Sequence, residues 1–229
     1  MGQTISFKRP DGQSVQGYLA EPAQGSGPGV VVIQEWWGLN AQIRGVADRM
    51  AGAGYRALVP DLYRGKVTVE AKEAEHLMTN LNFADAAGQD VRGGVRHLKG
   101  QSRKVGVTGF CLGGALTLLA AVNVPEADAA VVWYGFPPLE YVDATKIRAP
   151  LLGHYAIEDV PFPIATVDLL EHKLRAANVR FEFHRYQAKH AFANETLVGE
   201  RKLPIAEYHA PSADLAWRRT LEFFDRHLK

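Results

Sequence analysis

The chain has 229 residues, a net charge of +1, 47% apolar and 22% charged residues, which suits a single soluble globular domain over residues 1–229 with a sizeable core. The near-zero charge offers no reason to expect nucleic acid or an anionic membrane as partner, and no apolar run reaches transmembrane length. A single cysteine excludes an internal disulfide framework and any multi-cysteine metal site, and places the protein in a reducing compartment, the cytoplasm, with no metal or cofactor expected. The start Met1-Gly2, with Ser6, matches a myristoylation pattern by chance, because Gln3-Thr4-Ile5 runs straight into strand-like sequence.

Residues 4–8 and 14–20 alternate around Asp11-Gly12, so the chain opens with an antiparallel hairpin. Gly29-Val30-Val31-Val32-Ile33 is a continuous β-branched run, the pattern of a buried parallel strand. Ile43, Val46, Ala47 and Met50 recur at helical spacing before Gly52 and Gly54 stop the helix. Arg56 to Val59 is the next strand, followed by helices over 69–79 and 83–99. Strands at 105–110, 129–134, 150–155 and 179–186 then alternate with helices after Cys111 and over 164–177. A polar stretch from Asn194 to Pro211 precedes a last helix, capped by Ser212, with Leu215, Trp217, Leu221, Phe224 and Leu228 on its apolar face. Strands alternating with helices of this length predict an α/β fold, a mostly parallel twisted sheet of about eight strands covered on both faces.

The chemistry centres on Gly109-Phe110-Cys111-Leu112-Gly113-Gly114. A nucleophile between glycines, at the turn from an apolar strand into a small-residue helix, forms an elbow that displays its side chain above the sheet. The helix N-terminus behind the cysteine favours thiolate. Such an elbow predicts an acid and then a histidine after later strands, and Asp159 and His190 fall there. Glu158 competes with Asp159, and of the eight histidines His154 is the rival to His190, although its place within a buried strand suits a satisfied core residue. In this arrangement His190 takes the thiol proton and Asp159 orients the imidazole. The backbone N–H groups of Leu112 and Trp36 form the oxyanion hole.

Glu35 is an acid at the end of an apolar strand beside two tryptophans, a costly place unless it is partnered. It is expected beside Cys111, accepting a hydrogen bond from the neutral thiol or disfavouring the thiolate. Arg64, after the next strand, is a candidate anchor for a substrate carboxylate. Trp36, Trp37, Tyr63, Tyr134, Phe136 and Phe192 are candidates for an apolar mouth.

These stretches, with Gln34 to Gly38, Pro60 to Tyr63, Tyr155 to Asp159, His190 to Ala193 and Ala216 to Thr220, resemble the dienelactone hydrolase family, the cysteine branch of the α/β-hydrolases. The resemblance implies an α/β-hydrolase fold without a large cap, and hydrolysis of an enol-lactone to a dicarboxylic acid in aromatic-compound breakdown. It also implies a Cys111–His190–Asp159 triad, with Glu35 holding the thiol neutral at rest until Arg64 and a substrate carboxylate draw it away. Asn194 stands where the family carries a second carboxylate-binding arginine, and Ala156 where it usually has glycine. The reading is therefore a cofactor-free cysteine hydrolase of a small, anionic lactone or ester, acting as a monomer or weak homodimer. The alternative is a non-catalytic ligand-binding protein on the same scaffold.

Overall fold

The computed structural model describes residues 2–229, so the reading of Met1 in a chance myristoylation pattern lies outside it. Its eight strands are β1 (Gln3–Lys8), β2 (Ser14–Ala20), β3 (Gly29–Ile33), β4 (Arg56–Pro60), β5 (Val105–Phe110), β6 (Ala129–Trp133), β7 (Leu151–Ala156) and β8 (Phe181–Tyr186). They form one sheet in the order β1-β2-β4-β3-β5-β6-β7-β8. The β1–β2 hairpin and the β2–β4 pair are antiparallel, and every other pair is parallel.

The apolar runs explain the centre of the sheet. β3 to β7 are buried at every position, because helices cover both faces. Side chains alternate between the faces. Val30 and Val32 pack with α1 (Ala41–Gly52) and α7 (Ala210–Leu228), through Ile43, Met50, Phe223 and Phe224. Val31 and Ile33 pack with α4 (Arg92–Lys99) and α5 (Leu112–Asn123), through Val95, Leu98 and Leu116. The remaining helices are α2 (Ala71–Thr79), the short α3 (Phe83–Asp85) and α6 (Ile164–Ala176), the last lying against β6 and β7.

Two expectations need correction. The helix read as 83–99 is interrupted by a π-helical stretch, Ala86–Val91, which carries the buried Asp90. The last helix begins at Ala210, with Pro211 in its first turn and no side-chain cap. Ser212 lies inside it, 2.7 Å from His209 Nδ1, and its buried face runs through Ala216, Thr220, Phe223 and Phe224, leaving Leu215, Trp217 and Leu221 only partly covered. Burying each of these phenylalanines contributes about 1.5–3 kcal/mol, so the C-terminal helix is a principal support of one sheet face.

After β3 the chain adds β4 on one side, then crosses to place β5 on the other. The strand order reverses there, and the crevice at the carboxyl ends of β3 and β5 is where such sheets hold ligands.

Candidate active site

The elbow is built as the glycines predict. Cys111 has φ 54° and ψ −114°, a conformation disfavoured for any residue with a side chain. A Cβ on Gly109 would lie 2.2 Å from the Gly113 carbonyl oxygen, and one on Gly113 would lie 2.4 Å from the Ile33 carbonyl oxygen. Only glycine permits the strand, the turn and the helix to approach this closely. Of the five non-glycine residues with positive φ, Tyr134 and Ala191 join Cys111 around this site.

Cys111 Sγ lies 3.1 Å from His190 Nε2, and His190 Nδ1 lies 2.8 Å from Asp159 Oδ2. The other Asp159 oxygen accepts the Phe162 N–H at 2.9 Å, tying the loop after β7 to the acid. His190 is held between Phe162, stacked at 5.6 Å, and the edge of Tyr134 at 5.3 Å. Burial works against the imidazolium, but a Cys111 thiolate and Asp159 outweigh it and push the His190 pKa up to about 10.

The rivals fall away on contact. Glu158 is exposed and bonded to Gln187, whereas Asp159 is buried. His154 is fully buried between the Tyr186 hydroxyl at 2.8 Å and the Thr220 hydroxyl at 2.9 Å, with its pKa driven down by burial.

Cys111 and His190 open onto a cavity of about 320 Å³, large enough for a small-molecule ligand. Trp36, Trp37, Phe136, Phe162, Leu197 and Leu203 supply much of its wall, and Glu35 also borders it. No lysine or arginine lines it. Leu112 is the first residue of α5, and among the described residues neither its N–H nor that of Trp36 is taken by an acceptor. Both residues border the cavity.

Residues 15–228 match the family model described as the dienelactone hydrolase family. The chain belongs to that family. It is 35% identical to "Protein usf" of Aquifex pyrophilus over the whole of both chains. It is 34% identical to a protein of Escherichia coli K12 named "Putative carboxymethylenebutenolidase", covering 94% of this chain and 84% of that one. A crystal structure from Klebsiella pneumoniae subsp. pneumoniae MGH 78578, named as a "Putative Dienelactone Hydrolase", superposes with a TM-score of 0.84 at 30% identity, over 99% of this chain and 100% of that one. The fold is accordingly the α/β-hydrolase fold, and the protein is a hydrolase of carboxylic esters or lactones.

In this dienelactone hydrolase family member several expected site residues have other partners. Arg64 is not at the cavity. Its guanidinium grips Asp90 at 2.9 and 3.0 Å and donates to the Asp61 carbonyl at 2.7 Å. The reason is Asp90, a carboxylate 1% exposed that needs cations, which Arg64 and Arg9 supply. Tyr134, Phe192 and Asn194 do not line the cavity either; all three are fully buried behind His190 and Glu35. Glu35 shares no hydrogen bond with Cys111. Its Oε1 accepts from the Tyr134 hydroxyl at 3.2 Å and its Oε2 from Asn194 Nδ2 at 2.5 Å. Trp36, Trp37 and Phe136 do border the cavity.

The stretch 194–211 departs most from its polar reading. His190 and Leu203 each bridge to Ala206, and the segment turns Leu197, Leu203, Ile205 and Ala206 onto the cavity as one wall. Phe162 and this wall had no signal in the sequence, since loop residues carry no periodicity.

Proposed function

We propose that the chain hydrolyses a small carboxylic ester or lactone through an acyl-thioester on Cys111, with His190 as general base and acid and Asp159 as its orienting carboxylate. The observation that carries this reading is the continuous relay from Cys111 Sγ through both ring nitrogens of His190 to Asp159, at the base of an apolar cavity. The Cys111 sulfur attacks the carbonyl carbon, forming the S–C bond as its proton resides on His190 Nε2. The tetrahedral oxyanion is held by the Leu112 and Trp36 N–H groups, at the positive end of α5. Collapse breaks the C–O bond, and His190 gives its proton to the departing oxygen. Water then attacks the thioester, His190 takes its proton, and the acid leaves as the S–C bond breaks.

The name carboxymethylenebutenolidase, carried by relatives, offers one lactone within this class. A free thiol nucleophile survives best in a reducing compartment, which favours the cytoplasm. The test is Cys111→Ala assayed on activated short-chain esters and unsaturated lactones, with intact-protein mass spectrometry on the wild type. The expected result is a loss on the order of 10⁴-fold or more in kcat/KM, and an acyl adduct on Cys111 in the wild type. Retention of wild-type turnover by the variant overturns the assignment and favours a binding role for the thiol's cavity.

A further inference from the structure

Glu35 is 3% exposed, and burial drives its pKa up, while Asn194, His190 and Tyr134 draw it back down. Both carboxylate oxygens are occupied by donors. The Asn194 amide cannot turn around, because its Oδ1 accepts from the Thr196 N–H at 3.0 Å and the Thr196 hydroxyl at 2.7 Å, and a backbone N–H can only donate, so a flipped NH₂ would face another donor. Its NH₂ group therefore has to face Glu35. Tyr134 is equally fixed, wholly buried between Phe192 and His190. The thiol, for its part, is engaged by His190 at 3.1 Å.

The cavity matches this arrangement. Among the described residues its only charged or titratable border is Glu35, Cys111 and His190. Arg64 is committed to Asp90, and Arg201 and Lys202 line a separate groove of about 400 Å³ on the other side of Trp37, Leu197 and Leu203, with Lys202 paired to Glu207. A substrate carboxylate within the cavity would meet Glu35 and apolar walls and would lose its hydration without a lysine or arginine in return, while the His190 ring is already taken by Asp159 and Cys111.

We propose that Asn194 and Tyr134 pin the Glu35 carboxylate away from Cys111, so that the thiol stays committed to His190, and that the site accordingly takes neutral, apolar esters or lactones in preference to substrates bearing a carboxylate. Asn194 is a positioning residue here, since it touches neither the cavity nor the nucleophile. The substrate class rests on the hydrolase reading above; the state of the thiol does not.

Two measurements test the proposal. The first compares 4-nitrophenyl hexanoate with the 4-nitrophenyl monoester of adipic acid, matched in chain length and differing in the terminal carboxylate. The neutral ester is expected to have the higher kcat/KM, by on the order of 100-fold. Equal or better turnover of the carboxylated ester overturns the substrate class while leaving the hydrolase reading intact. If neither ester acylates Cys111, the hydrolase reading itself falls, and with it the substrate class.

The second measures iodoacetamide alkylation of the free enzyme at neutral pH. Asn194→Leu, which keeps side-chain size but removes the donor, is expected to slow alkylation about tenfold by freeing Glu35 to turn toward the thiol. Adding Glu35→Gln to Asn194→Leu is expected to restore the wild-type rate, a rescue that a merely structural role for Asn194 does not produce. An unchanged rate in folded Asn194→Leu, or a double variant no faster than the single one, overturns the pinning. Should Asn194→Leu fail to fold, Tyr134→Phe with and without Glu35→Gln makes the same comparison at the other donor, with the same two outcomes deciding it.

Discussion

His154 lies within β7 and His190 just past the end of the neighbouring β8, both almost entirely shielded from water, yet they are opposite chemical objects. His154 hydrogen-bonds only to hydroxyls, those of Tyr186 and Thr220, and burial, with the nearby charges of His184 and Arg219, pushes its pKa down. His190 meets a thiol and a carboxylate, and their charges overcome the same burial. Burial penalises the imidazolium in both places, so the partners alone decide which ring can carry a proton. One ring is a neutral part of the core and the other is flanked by groups that favour its charged form.

The comparison can be broken most directly at the active ring. His190→Ala is expected to cut kcat/KM on the order of 10⁴-fold with folding retained, while His154→Gln keeps kcat within about twofold; steady-state kinetics on an activated ester checks both. If His154→Gln loses as much activity as His190→Ala, the distinction between the two rings collapses. Asp159→Asn removes the charge from His190 while keeping its shape, and a loss of about 10²–10⁴-fold in kcat is expected from the wrong tautomer and a weaker imidazolium.

Stability should separate the rings in the other direction. Replacing His154 by alanine strands the Tyr186 and Thr220 hydroxyls and opens a cavity, so denaturant unfolding should report a loss of about 2–3 kcal/mol. Their pH limbs differ as well. The folded pKa of His154 lies below its ordinary 6.5, so its contribution is present above that value and is lost as pH falls. The folded pKa of His190 is raised to about 10, so its contribution is full below 6.5 and is lost as pH rises through 10. Thermal melts across pH should therefore show a flatter acid limb in His154→Gln and a flatter alkaline limb in His190→Ala. The smallest expected effect is at Arg64. Arg64→Ala should leave kcat/KM for neutral esters within about twofold, because its guanidinium serves Asp90 outside the cavity, and a large rise in KM would return it to the binding site.

Much of this was legible in the chain. The β-branched runs at 29–33 and 105–110 can only be buried strands, and the glycines around Cys111 have no better explanation than an elbow. Asp159 and His190 followed from the order in which such a sheet delivers its loops. The apolar face of α7 is right at Phe224 and Leu228 but not at Leu215, Trp217 and Leu221, because small Ala216 and Thr220 permit the closest approach to the sheet. Arg64 was misread because its partner Asp90 lies 26 residues away, on a π-helical stretch that no local pattern announces.

The sequence by itself determined the sheet, the elbow and which three residues, Cys111, His190 and Asp159, the fold brings into hydrogen-bonding contact, since each rests on a local pattern or on chain order. Only the tertiary structure decided what Glu35 does. Whether that carboxylate faces Cys111 or turns to Tyr134 and Asn194 depends on contacts across 99 and 159 residues of chain, and on an amide whose direction is set by Thr196. Periodicity records which face of an element is buried, but a buried charge is governed by the particular donors that folding brings within hydrogen-bonding distance of it, and those are chosen by packing.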